Sequence, residues 1–453
     1  MSTTLSDRDT IAAIATPPGI GGIGIVRVSG PSVPKIACAL LGHLPVARYA
    51  HFSRFRSVDG STLDQGLALY FPSPHSFTGE HVLELHGHGG PVVLDTLLQA
   101  VFAHGARPAH PGEFSERAFL NGKLDLAQAE AVADLIESAS VEAARAALRS
   151  LEGEFSKRVQ AITDQLIALR LHIEAALDFP EEEINFLADE NLSTQAQQLT
   201  DQINALRAAT RQGQLLHDGM TVVLAGRPNA GKSSLLNALT QRDSAIVSAV
   251  PGTTRDVLRE RIQIDGLPLH VLDTAGLRES TDAIESEGVR RAHAAMQRAD
   301  RVLLVIDDSE EVESGVQALL AQLPGNVRVT LVRNKIDRSG RAPGLVALIA
   351  GRAEMAISAQ DGRGLDALRA HLKECMGFQV VGEGTFSARR RHLEAIESAR
   401  VHLSAALVQL KVQRGELAAE ELRHAQQALD EITGKFTSDD LLGRIFSSFC
   451  IGK

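Results

Sequence analysis

The stretch TVVLAGRPNAGKSSLLNAL, beginning at Thr221, limits the fold of this chain more than any other. It reads as a buried strand (Val222, Val223, Leu224), a phosphate-binding loop and a helix in succession. The pattern GxxxxGK[ST] runs from Gly226 through Asn229, Ala230 and Gly231 to Lys232 and Ser233, with Ser234 next. Backbone N–H groups of such a loop point at the β-phosphate. Lys232 reaches the β and γ oxygens, and the Ser233 hydroxyl ligates Mg²⁺. Taken alone, the pattern also fits a Gly-containing strand-to-helix turn.

Three downstream segments, in the right order, remove that simpler reading. DTAG (Asp273, Thr274, Ala275, Gly276) follows the apolar run LPLHVL. A strand-terminal Asp273 holds the metal through water, and the Gly276 N–H faces the γ-phosphate. NKID (Asn334, Lys335, Ile336, Asp337) follows VRVTLV, again at a strand end, where open α/β sheets bind ligands. The Asp337 carboxylate accepts two hydrogen bonds from the N1 and N2 donors of guanine, a pair adenine does not present. Ile357, Ser358 and Ala359 follow Glu354 and Met355, where a backbone N–H meets guanine O6. Over about residues 218 to 378 the chain resembles the G-protein family, and GTP is the expected nucleotide.

At 453 residues and 44% hydrophobic, the chain has room for about three domains at ~150 residues each. No apolar run reaches the ~18 residues a membrane helix needs, and the start MSTTLSDRDT lacks a signal-peptide core. A soluble, cytoplasmic protein is expected. Cys38, Cys375 and Cys450 have neither zinc-ligand nor disulfide-framework spacing. A net charge of −10 excludes a general basic nucleic-acid clamp while leaving room for local patches. The one dense basic cluster, Arg389, Arg390, Arg391 and His392, reads as a solvated helix face as readily as an RNA contact.

From about Leu124 to Gln212 the pattern becomes long amphipathic helix, interrupted at Phe179-Pro180 and Glu181 to Glu183. Helical spacing returns after about Ser387, with Leu422, Ala425, Leu429 and Ile432 recurring at three and four residues. Because domain termini often lie close together, the economical reading is one helical bundle into which the G domain is inserted, with two separate helical units as the alternative. The first ~120 residues differ, with strand candidates GIGIVRVSG, QGLALYFP and HVLELHGHGG and a helix from Pro91 to about His104, an α+β pattern. His86 and His88 point the same way on one strand, but no third ligand is in sight, so structural roles are favoured over a metal.

The whole chain is similar to one family, the tRNA-modification GTPases called MnmE or TrmE, through ATPPGIGGIGIVRVSG, PGEFSERAFLNGKLDLAQAEAVADLI from Pro111, and the terminal FCIGK. The resemblance implies a multidomain protein with four segments. These are an α+β tetrahydrofolate-binding and dimerisation domain (1–120), a helical domain in two parts (121–215 and 380–453), and an inserted α/β P-loop G domain (216–379). It implies a homodimer that joins an FAD protein of the MnmG/GidA type as a heterotetramer. Together they install a carboxymethylaminomethyl or aminomethyl group at C5 of the wobble uridine of certain tRNAs. A 5-formyl- or 5,10-methylene-tetrahydrofolate is the implied one-carbon source. Its contacts carry over to Arg27, Glu84, Lys123 and Lys453. Glu84 would accept from the pterin's amino-keto edge, while the cations pair with the glutamate tail. Lys453 reaches such a site only if the last residues fold back, within one chain or across a dimer.

Cys450 is a candidate catalytic thiol by the same resemblance; the simpler alternative is a buried apolar cysteine beside Phe449. For hydrolysis, Leu277 stands where many G proteins carry a water-orienting Gln, and leucine has no hydrogen-bonding group. The resemblance assigns that role to Glu285 and supplies K⁺ as the cation between the β- and γ-phosphates. K⁺ would be held by Asn229 and the loop Ser248, Ala249, Val250, Pro251, Gly252 and Thr253, with Ser248, Val250 and Thr253 as ligands. Thr254 would complete Mg²⁺ binding with Ser233. The competing reading is a regulatory GTP-binding switch in ribosome or RNA assembly, in which the N-terminal domain docks a protein.

Overall fold

The computed structural model describes residues 9–178, 190–242, 259–264, 267–273, 295–297, 299–309, 313–321, 323–324, 327–349, 352–377, 385–435 and 439–452. The Phe179-Pro180 interruption lies outside them. The chain forms two compact units, the first from Met1–Ala133, Leu151–Leu199 and Ser398–Lys453, the second from Asp134–Ser150 and Thr200–Glu397.

The first unit carries a six-stranded sheet of β1 (Thr10–Ile14), β2 (Gly21–Ser29), β3 (His51–Arg56), β4 (Thr62–Phe71), β5 (Val82–Gly89) and β6 (Ala106–Pro108), in the order β3-β4-β5-β2-β1-β6. The three expected strand segments became β2, β4 and β5, and the expected helix runs Pro91–Ala103. Neighbours are antiparallel except β1 and β6. Alternation puts Val26, Val28, Leu83 and Leu85 into a core with helices Val33–Leu41 and Pro91–Ala103. The intervening Arg27 and Glu84 therefore share the opposite face, as register partners.

Helix Glu154–Asp178 packs against helix Gly415–Thr433 in the same unit, and Leu422, Ala425, Leu429 and Ile432 are all buried. The 3.6-residue period that placed those four on one stripe is the reason the pair forms. The last helix, Asp439–Ser447, buries Ile445 and Phe446, with Phe449 just beyond it, against Leu126 and Ala129.

The second unit holds a seven-stranded sheet in the order β12-β13-β11-β10-β7-β9-β8. Its strands are β7 (Met220–Ala225), β8 (Arg259–Ile264), β9 (Leu267–Asp273), β10 (Arg301–Asp307), β11 (Val329–Asn334), β12 (Gly344–Ile349) and β13 (Arg352–Ala356). The five central strands are parallel; β8 and β12 close the edges antiparallel. Strand β7 lies between β9 and β10, so consecutive strands depart to opposite sides of it, and its carboxyl end is the topological switch point. No helix among the described residues is long and apolar enough to cross a membrane.

Candidate guanine-nucleotide site

The phosphate-binding loop leaves the carboxyl end of β7 and enters helix Lys232–Arg242. Two glycines make this path possible. Gly226 has φ 141°, and a Cβ there would stand 2.1 Å from Val305 O; Gly231 has φ 93°, and its Cβ would stand 2.2 Å from Asn334 Nδ2. Asn229 adopts a left-handed φ of 63° with its side chain exposed at the lip of the loop. Ala230 is buried, while Ser233 and Ser234 are exposed at the helix start. Lys232 is buried and its Nζ donates to Gly226 O and Arg227 O, both at 2.9 Å, curling over the loop backbone. A loop of this shape, with an ammonium over its rim and N–H groups at a helix start, fits the β- and γ-phosphates of a nucleotide.

The residues expected to meet the base lie at the ends of β11 and β13. Asn334 is the tie: its Nδ2 donates to Ala230 O at 3.0 Å, and its Oδ1 accepts from Ala359 N at 3.0 Å. Asn334 thus engages one of the backbone N–H groups of the Ile357–Ala359 segment expected at guanine O6, and fixes the phosphate loop and the base loop to one another. Lys335 has φ 67°, and its Nζ pairs with Asp307 Oδ2 at 2.6 Å. Burial alone would raise the Asp307 carboxyl, but Lys335 and Ser309 turn the balance and hold it below the usual range. Asp337 is exposed, and its Oδ1 accepts from the buried Ser358 hydroxyl at 2.9 Å. That bond orients the carboxylate for two donors on the edge of a purine.

Asp273 is the last residue of β9, level with Leu224 of β7. Thr274, Ala275, Gly276, Glu285, and the loop from Ser248 to Thr254 lie outside the described residues, as does Lys453.

In the first unit the structure joins two of the remaining candidates, Arg27 and Glu84, differently from expectation. Arg27 Nε donates to Glu84 Oε1 at 3.0 Å and Arg27 Nη1 to Gly452 O at 3.3 Å. The fold-back of the chain end therefore occurs within one chain. The guanidinium also lies 5.9 Å from the Phe77 ring, which no motif marked, and 5.7 Å from the ring of Phe114, which belongs to the segment from Pro111 but was given no role. Glu84 takes a further contact from His86 Nε2 at 3.2 Å. That hydrogen bond, opposed by burial and reinforced by Arg27, holds Glu84 below the usual carboxylate range. Arg27 and Glu84 are thus each other's partners, whereas the sequence reading gave them separate ends of a folate. A carboxylate held in its ionised form is an acceptor of the kind that the amino-keto edge of a pterin needs. Lys123 is exposed in the turn after helix Glu113–Leu120. His86 and His88 do not converge, since His88 Nδ1 binds Asp64 at 2.8 Å.

The fold decides two alternatives that the residues left open. Cys450 is exposed, not buried, because Phe446 and Phe449 take the core-facing positions and the Cys450 carbonyl accepts from Gly112 N at 3.4 Å. The basic cluster is not simply solvated either. His392 is buried, and Arg389 binds Asp134 through Nη2 at 2.6 Å and Nε at 3.1 Å, while Arg390 is an exposed ion paired with Glu394. Asp134 also accepts from Ser387 Oγ at 2.6 Å and meets His217 Nε2 at 3.1 Å. Burial would lower the His217 pKa, but its hydrogen bonds to Asp134 and Asp218 push it up to about 9. A cleft of about 250 Å³ opens here, lined by Asp134, His217, Asp218, Pro268 and His270. It lies at the amino ends of β7 and β9, opposite the nucleotide motifs.

A phosphate loop at the switch point of a parallel sheet, tied through Asn334 to a base loop carrying Asp337, defines a P-loop GTP-binding protein. Comparison with known proteins narrows the class. The model of the TrmE N-terminus matches residues 10–123 and that of the MnmE helical domain matches residues 126–450. A tRNA modification GTPase MnmE of Hydrogenovibrio crunogenus is 58% identical over 99% of each chain. Its counterpart in Stutzerimonas stutzeri is 59% identical over 98% of this chain and 99% of the relative. That of Chromohalobacter salexigens is 58% identical over 100% of both. The chain belongs to the MnmE (TrmE) family of tRNA modification GTPases.

Proposed function

We infer that this chain is a GTPase that acts in tRNA modification. The observation that carries the reading is the Asn334 tie between Ala230 of the phosphate loop and Ala359 beside Asp337, which presents phosphate and guanine recognition as one rigid site. Mg²⁺ would be held by Ser233 and Thr254 and would neutralise charge on the phosphates. We further propose that hydrolysis is potassium-stimulated on G-domain dimerisation. Asn229, already turned outward at φ 63°, and Ser248, Val250 and Thr253 would supply the K⁺ ligands, and Glu285 would orient the attacking water. These roles rest on the family resemblance and on the absence of a hydrogen-bonding side chain at Leu277.

The same reading takes a homodimer working with a flavoprotein of the MnmG/GidA type on the wobble uridine of certain tRNAs. A tetrahydrofolate derivative would be bound around Arg27, Glu84, Lys123 and Lys453. Residues 216–379 form the G domain inserted between the two parts of the helical domain in this scheme. The Arg27 to Gly452 hydrogen bond supports the folate part, because it brings the chain end to the sheet face that carries Glu84.

GTP turnover in KCl and in NaCl at matched ionic strength, with wild type beside Glu285→Ala, tests the hydrolytic part. K⁺-selective turnover that falls roughly 10²-fold or more in the variant is expected. Equal rates in the two salts would return the chain to a cation-independent switch mechanism.

A further inference from the structure

Helices Arg390–Lys411 and Gly415–Thr433 are joined by residues 412–414 and meet through side chains of both. His402, from the first helix, faces Glu421 and His424 from the second. One ligand-type atom from each of the three lies within 4.8 Å of the others. His402 Nδ1 is 2.7 Å from Glu421 Oε2, and the two imidazole rings lie 5.1 Å apart at 56°. None of the three belongs to the nucleotide site or to the Arg27 cluster.

We propose that His402, Glu421 and His424 form a binding site for a divalent transition-metal ion of the zinc type, bridging the two helices. Two neutral imidazoles and one carboxylate are the donor set that borderline ions prefer, with a fourth position left to water or an incoming ligand. The spacing Glu421-Leu-Arg-His424 puts both donors of the second helix on one face, one turn apart. All three side chains are about one-third exposed, at 34%, 32% and 38%. The ion therefore has a path in, and the side chains have room to close onto it.

One neighbour argues against the site and has to be weighed. Arg423 Nη2 lies 3.3 Å from His424 Nε2, and a cation beside a metal repels it. But Arg423 is itself held by Glu420, at 2.9 Å through Nε and 2.5 Å through Nη2, so its charge is balanced locally. Glu420 also approaches His424 Nε2 at 3.3 Å and adds a second carboxylate to the surroundings. With Glu421, the cluster keeps a net negative charge before metal binding.

The test is Co²⁺ titration of the full chain, saturated with Mg²⁺ and GDP so that the nucleotide site does not contribute. Wild type is expected to take up one equivalent with the visible absorption of a low-coordinate Co²⁺ complex, displaceable by Zn²⁺. His402→Ala and His424→Ala should each weaken that binding about 100-fold or more, with GTP turnover unchanged. Glu421→Gln, which keeps the shape and the hydrogen bond, guards against a folding artefact and should weaken it too. Absence of the absorption band, or a band that survives all three substitutions, would overturn the site and leave the cluster as a hydrogen-bonded clasp between helices.

Discussion

The nucleotide site and the Arg27 cluster are both built around a carboxylate held by a cation, yet one is made at strand ends and the other on a strand face. At the nucleotide site, each recognition group sits at the end of β7, β11 or β13 or in the few residues that follow, so each is a contiguous motif. In the other, Arg27, Glu84, Phe114 and Gly452 come from four distant segments brought together by sheet register and by the return of the chain end. Strand ends tolerate variation in the rest of the sheet; a face cluster depends on every element that positions it. The nucleotide site should therefore fail residue by residue, and the Arg27 cluster as a unit.

The largest effect expected on the first side comes from Asp337→Asn. Two charge-assisted hydrogen bonds to guanine become one acceptor and one mismatched donor, at about 1.5–3 kcal/mol each, so GDP affinity should fall about 10³-fold. Xanthosine diphosphate, which presents an acceptor where guanine has its amino group, should bind the variant better than GDP. Titration of both nucleotides against wild type and variant reads this directly. A GDP loss below about 10-fold would mean that Asp337 does not read the base.

The second side is tested at Gly452. Its φ is 95°, and a Cβ would stand 2.4 Å from Ile14 O, so Gly452→Ala meets both a strained backbone and a main-chain clash. The tail should lift from the sheet at a cost of about 1–3 kcal/mol. Amide exchange in Asp439–Ser447 should then quicken roughly 5- to 150-fold, while exchange in β7 and β11 stays as in wild type. Unchanged exchange in that last helix would show that the cluster is not cooperative with the chain end.

The same contrast explains what could be read from the residues. Phosphate and guanine impose fixed contiguous spacings, so Gly226 to Ser233 and Asn334 to Asp337 were legible, and so was the buried stripe of Leu422, Ala425, Leu429 and Ile432. Partnerships across the fold were not. Nothing near Arg389 in sequence signals Asp134, 255 residues away, which makes the half-buried Arg389 an anchor where the basic run alone suggested a solvated face. The pairing of Arg27 with Glu84 needs the β2–β5 register, and the exposure of Cys450 follows from which neighbours fill the core. The Lys335 to Asp307 pair had a signal, the acidic VIDDSE at the end of an apolar run, that went unread.

The smallest effect is a pH dependence that should mark the second unit alone. Lowered carboxylates occur in both units: Glu84 in the first, Asp134 and Asp307 in the second. Each contributes stability present above its unfolded pKa and lost as pH falls through its folded value, so acid weakens both. His217 is different, because its pKa is raised from 6.5 to about 9. Its contribution is full below pH 6.5 and disappears as pH rises through about 9. Its side chain is 27% exposed, so solvent screening reduces the contribution to about 2 kcal/mol. Urea unfolding at pH 6 and pH 9.5 should show this alkaline loss in wild type, and His217→Gln should remove the loss while lowering stability at pH 6. An alkaline loss of equal size in the variant would assign it elsewhere and break the proposed difference between the two units.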